Sequence, residues 1–347
     1  MNRNSNLDGV RGLAALAVVL GHSNTLGTGM APLSMRASDF ASETGNDIAA
    51  RLWHTVFNAD AAVMLFFVLS GYVLTAGLNA TSRRPLQELP AYSIRRLFRI
   101  YPVAIVAAIP LAILYPLDWQ TTVGTMLLTD TSANGVLWTL QIELLGSALV
   151  FALWAVRRRM LGLVLLVLFP LVAREFAGTP YVYYFACMPA FLLGALLPHV
   201  PRVFWSSRFL LLASLLTLIG ADLFMAKMLH WRYLATFAAV GVVGCLTVQS
   251  FRVLDSRPVQ FLGRICFPMY VLHMASVLAA QPFINQYLPG ASMLRTVAFA
   301  TVTGVPTILA AALVHRWIEA PAISAGSKLA KRIAGVSTKT AVEPAIS

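Results

Sequence analysis

Charge is what this chain has least of. Asp, Glu, Lys and Arg make up only 12% of its 347 residues, about half the share of an average soluble domain. A water-soluble surface cannot be built from so few charges when 58% of the residues are hydrophobic and the mean hydropathy is +0.74. Acids are scarcest, 14 against 26 Lys and Arg, for a formal net charge of +12. Cysteine is also sparse. Cys187, Cys245 and Cys266 stand alone in apolar stretches. That pattern excludes a disulfide framework and any closely spaced Cys/His metal set, so no metal site is expected and the thiols read as small core residues. No basic face interleaved with aromatics appears away from the apolar runs, so nucleic acid is not an expected partner.

What is present is a series of apolar blocks of roughly 20 residues, the length that crosses a ~30 Å hydrocarbon core. Ten can be drawn, at 8–28, 55–79, 100–117, 134–156, 160–176, 180–199, 208–226, 233–250, 265–283 and 294–318. The piece "TTVGTMLL" (121–128) is too short to span and reads as interfacial or re-entrant. With the N-terminus inside, 20 of the 26 basic residues fall in inside segments, as the positive-inside rule requires. The expected fold is therefore an all-α integral membrane protein of about ten transmembrane helices with both termini cytoplasmic. Residues 1–320 form the membrane domain, and 321–347 form a basic tail, amphipathic or disordered. The same tally accounts for the net charge. The first apolar run contains its only signal-peptidase-like triplet, Ala15-Leu16-Ala17, well before its end, so it reads as a retained helix.

Ionisable groups inside such blocks are costly and mark functional sites by default. "DGVRGLAALAVVLGHS" (8–23) carries Arg11 and His22. Eleven helical steps bring the two onto one face, ~16 Å apart along the axis. Asp8 is placed to cap the first turn and pair with Arg11. Gly9, Gly12 and Gly21 leave room for a backbone or a ligand. The plainer alternative is a snorkelling Arg and a His held by an interhelical hydrogen bond. "RRLFRIYP" sets Arg96 and Arg99 one helical turn apart; paired guanidiniums suit phosphate, and ordinary basic flanking explains them equally. "LWTLQIELL" buries Glu143, "FFVLSGYVL" holds Ser70-Gly71 in mid-span, "FPMYVLHM" adds His273 and "WIEAP" adds Glu319. Packing notches, structural hydrogen bonds and capping are the bland readings of the last three.

Taken in order, these stretches resemble the membrane-bound acyltransferase-3 family. Arg11 and His22 match its first-helix motif, a basic residue and a His with ten residues between them. Phe66 to Gly71 match its "FFVLSG". Arg96, Arg99, Ile100 and Pro102 match "R-x-x-R-I-x-P". Trp138, Thr139, Leu140 and Glu143 match a Trp-Ser-Leu-x-x-Glu stretch with Thr for Ser. Tyr270 and His273 match "Y-x-x-H", and Glu319 and Pro321 match "E-x-P". Each motif is weak alone; six in order, spanning residues 7–321, are specific. Ala62 and Met64 depart from the family pattern, which often has a Gly and a polar residue there.

The resemblance implies transfer of an acyl group, usually acetyl, from a cytoplasmic acyl-coenzyme A co-substrate to a hydroxyl of a glycan or other acceptor. The setting it implies is a bacterial inner membrane, with no tightly bound cofactor. A neutral hydroxyl attacks a thioester slowly without a general base. On this reading His22 is the base and Glu143 orients it. Arg11, Arg96 and Arg99 hold the coenzyme's phosphates, and Ser70, Trp138 and His273 contact the acceptor. Direct transfer and a covalent acyl-His or acyl-Ser70 intermediate both remain open. The rival from another class is a multi-span transporter of an anionic lipid or sugar, which would carry inverted repeats; no matching pair of broken segments is evident in the two halves.

Overall fold

The first helix begins on Asn4, whose side-chain oxygen accepts from the backbone N–H groups of Asn6 and Leu7 at 3.0 and 3.3 Å. Asn4, and not Asp8, is therefore the cap of α1 (Ser5–Thr28). Asp8 lies four residues past the cap position and adds its charge to the first turn instead. The computed structural model describes residues 4–29, 44–115, 117–157, 159–225 and 230–334. Arg3, Arg36, Arg158, Lys227 and Lys339 of the charge tally, and the tail beyond residue 334, lie outside them.

All regular structure among the described residues is helical. After α1 come α2 (Gly45–Val56), α3 (Ala59–Asn79), α4 (Pro85–Leu114), α5 (Trp119–Leu127), α6 (Trp138–Val156) and α7 (Arg159–Glu175). They are followed by α8 (Val182–Leu196), α9 (Arg208–Met225), α10 (His230–Leu246), α11 (Arg257–Tyr287), α12 (Met293–Val314) and α13 (Ala320–Ile333). A helix occupies each of the ten apolar blocks. Among the described residues, six helical runs are long and apolar enough to cross a membrane: Gly45–Asn79, Pro85–Leu114, Trp138–Val156, Val182–His199, Arg257–Tyr287 and Met293–Ile333. The protein is thus a multi-pass membrane protein by length and composition. Arg208–Gly220 and Arg232–Leu246 are shorter apolar stretches, and α1 is diluted by the polar groups at its two ends.

Three elements differ from the apolar blocks. α4 starts fifteen residues ahead of the block at 100–117, with Pro85 in its first turn. Its early turns are full of charge, and that charge is neutralised locally: Glu88, 3% exposed, bonds Arg83 at 2.9 Å and also Arg95. α2 is capped by Thr44, whose hydroxyl and backbone trade hydrogen bonds with Asp47. The described start of the segment after Pro321 belongs to α13 and packs on α4, with Gly326 directly over Phe98.

Backbone contact sets the helix positions. A Cβ on Gly12 would lie 2.4 Å from the Gly263 nitrogen, so α1 and α11 touch main chain to main chain. Across the bundle, a Cβ on Gly71 would meet the Phe191 carbonyl at 2.2 Å, and one on Gly194 the Val68 carbonyl at 2.1 Å. That crossing locks α3 to α8. The small residue of "SG" is thus a packing notch, while its neighbour Ser70 stays beside a cavity.

Candidate active site

The α1–α11 crossing brings His22 against His273. Their Nδ1 and Nε2 atoms are 2.9 Å apart, and the rings stack at 5.0 Å between centroids, 18° from parallel. His273 is fully buried, and its Nδ1 lies 2.6 Å from the Tyr270 carbonyl oxygen. A carbonyl only accepts, so His273 Nδ1 carries the hydrogen. Neutral His273 then presents a lone pair at Nε2, and His22 must donate to it from Nδ1. The proton positions follow from that chain of donors. They leave the lone pair of His22 at Nε2, where no hydrogen bond engages it among the described residues. An oriented, neutral imidazole with an uncommitted Nε2 is the arrangement of a general base.

Tyr270 also anchors α6. Its hydroxyl lies 2.8 Å from Thr139 Oγ1, and Thr139 gives its own hydrogen to the Val136 carbonyl at 2.8 Å. The phenol is therefore the donor in the first bond. Thr139 does what a Ser would do at this motif position.

Among the described residues, three cavities are lined by these side chains. A far cavity of about 230 Å³ is lined by His22, His54, Asp60, Trp138 and Tyr270. A narrow inner cavity of about 40 Å³ is lined by Arg11, Ser70, Arg99, Thr139, Glu143 and Tyr270. A vestibule of about 500 Å³ is lined by Arg83, Arg95, Arg96, Arg99 and Lys331. Tyr270 and Val63 line both the far and inner cavities. Arg99 lines both the inner cavity and the vestibule. Arg11 and His22 share a helix face as their spacing requires, one beside each of the two deeper cavities.

Glu143 does not meet His22. Its Oε1 accepts from Arg96 Nη2 at 3.0 Å and from Ser70 Oγ at 3.4 Å. Ser147, one turn on, donates to the Glu143 carbonyl at 2.6 Å and accepts from Arg96 Nε at 3.2 Å. The orienting contact expected of Glu143 is made by His273, because Glu143 lines the inner cavity and His22 the far one.

The expected phosphate forks are likewise engaged. Arg96 is held by Glu143, and Arg99 by Glu319 at 3.1 Å. Glu319, 1% exposed, takes a second bond from His315 Nδ1 at 2.6 Å within a π-helical turn, His315–Glu319. Arg99 also sits 5.4 Å over the Phe267 ring. Arg11 differs. Its Nε is buried with no hydrogen-bond partner, beside the inner cavity. Trp138 lines the far cavity and packs against Tyr183, with ring centroids 5.1 Å apart and the planes tilted by 40°.

Sequence reasoning passed over His54, Asp60 and His315. His315 was signalled by its i, i+4 spacing to Glu319. Asp60 was hidden as an ordinary acid in the first turn of a helix, behind the Asn58 cap, whose Oδ1 accepts from Ala61 N at 2.9 Å.

The helices of this multi-pass membrane protein thus hold a stacked His22–His273 pair, with His22 lining a cavity that also carries His54 and Asp60. The chain belongs to the acyltransferase-3 family, whose acyltransferase domain matches residues 4–316. That family indicates an acyltransferase. Among curated proteins and solved structures none matches.

Proposed function

We propose that this acyltransferase moves an acetyl or similar acyl group from cytoplasmic acyl-coenzyme A to a hydroxyl of a glycan or related acceptor, with His22 as the base. The carrying observation is the His22–His273–Tyr270 carbonyl chain, which leaves His22 Nε2 uncommitted beside the far cavity; that cavity shares Tyr270 with the inner cavity, which in turn shares Arg99 with the basic vestibule.

In this reading ten helices cross a bacterial inner membrane with both termini in the cytoplasm, so the vestibule opens there. The donor's phosphates meet Arg11 and the vestibule cations, of which Arg96 and Arg99 each keep N–H donors beyond their carboxylate partners. The pantetheine arm runs through the inner cavity, along the ~16 Å between Arg11 and His22. The acceptor hydroxyl sits in the far cavity, against Trp138. Its oxygen attacks the thioester carbon as His22 Nε2 takes its proton. The C–O bond forms, the C–S bond breaks, and the imidazolium returns the proton to the departing sulfur. Ser70 and Glu143 line the arm's path, where Ser70 donates to Glu143 and is poorly set to act as a nucleophile.

The test uses sealed vesicles of known orientation with acetyl-labelled coenzyme A supplied to one face. Labelled ester is expected only when donor reaches the face carrying α13. Label transferred from the opposite face would overturn the arrangement.

A further inference from the structure

Met64, on α3, is fully buried in apolar surroundings. One turn earlier, Asp60 lines the far cavity with His22. Asp60, in the first turn of α3, therefore sets a carboxylate on the wall of that cavity. Asp60 is held in place: Arg232 on α10 bonds Oδ1 at 3.3 Å, and the Arg232 guanidinium lies 4.6 Å over the Tyr183 ring. Tyr183 packs at a tilt against Trp138, another lining residue of the cavity. Arg232 therefore fixes the carboxylate.

The proposed reaction turns His22 into a cation, and its orienting partner His273 is neutral. In a Ser-His-Asp arrangement the group behind the histidine supplies that compensating charge. Here it must come from elsewhere, and Glu143 is tied to Arg96 beside a different cavity. Asp60 is the carboxylate that lines the same cavity as the His22 ring. We infer that Asp60, fixed by Arg232, is the positioning residue that stabilises the His22 imidazolium during transfer, acting across the far cavity and not through a direct bond. The inference rests on His22 being the base. A fixed charge costs no reorganisation as the reaction proceeds and acts strongly in a water-poor site.

The experiment compares Asp60→Asn, Asp60→Glu and His22→Ala in nanodiscs, measuring kcat and donor KM per folded protein. Asp60→Asn is expected to lower kcat by roughly 10–100-fold with donor KM unchanged, since the donor's anchors lie at the other end of the path. Asp60→Glu, which keeps the charge, should recover much of the loss. A purely structural tie between α3 and α10 would give lower yield and melting temperature in both variants with kcat of the folded fraction intact, and that outcome overturns the inference. Loss of activity in His22→Ala alongside wild-type kcat in Asp60→Asn defeats Asp60 only. Full activity in His22→Ala defeats the function it rests on.

Discussion

Replacing His273 by Ala isolates the orienting bond from the base itself. The substitution leaves the Nδ1 hydrogen of His22 without the acceptor now 2.9 Å away. A buried donor left unsatisfied costs about 1–3 kcal/mol. His22 can escape that cost by moving its proton to Nε2, which removes the lone pair the reaction uses. If the whole of that energy goes into the tautomer balance, the active form falls by about 5–150-fold at 1.36 kcal/mol per tenfold. The expected result is a kcat loss in that range with donor KM unchanged, smaller than the 10²–10⁴-fold typical of losing a base outright. His273→Gln gives a sharper arm. Its amide oxygen reaches close to the place of the lost Nε2 and accepts the same hydrogen, so kcat should return to within about tenfold of wild type. The assay is initial-rate thiol release from acetyl-coenzyme A in membranes carrying the native acceptor, normalised to monodisperse protein. A well-folded His273→Ala protein with wild-type kcat would refute the tautomer argument.

Arg96 and Glu143 form one unit at 3.0 Å, so Arg96→Gln and Glu143→Gln should be non-additive by about 1–2 kcal/mol in a thermal-stability cycle, while Glu143→Gln with His22→Ala should add. Arg11→Ala should raise donor KM by about tenfold, measured by titration with acetyl-coenzyme A, because its guanidinium is the cation beside the inner cavity with an unpartnered buried nitrogen. Gly71→Ala should destabilise the bundle by about 1–3 kcal/mol or block its assembly, read as a lower melting temperature in detergent, because its Cβ would sit 2.2 Å from the Phe191 carbonyl.

The helices were legible because hydropathy reports them directly: a run of apolar side chains is the cause of a membrane span. The start of α4 was not, because charges that are paired in three dimensions, as Glu88 is with Arg83 and Arg95, look in one dimension like a polar loop. The register of Arg11 and His22 followed from helix geometry alone. Which group orients His22 did not. Glu143 and His273 both lie in apolar helices at motif positions, and only the Gly12–Gly263 crossing decides that α11 presents its histidine there. The sequence likewise exposes Arg96 and Arg99 as a cationic pair without showing that Glu143 and Glu319, 47 and 220 residues away, come back to meet them.

Proton transfer from the acceptor hydroxyl to His22 is tested by single-turnover transfer of a labelled acetyl group to acceptor-bearing membranes by His22→Ala, with acetyl-coenzyme A binding measured on the same preparation. Donor affinity near wild type and a transfer rate lower by about 10²–10⁴-fold are expected. Transfer at the wild-type rate by protein that folds and binds donor normally would contradict that role of His22.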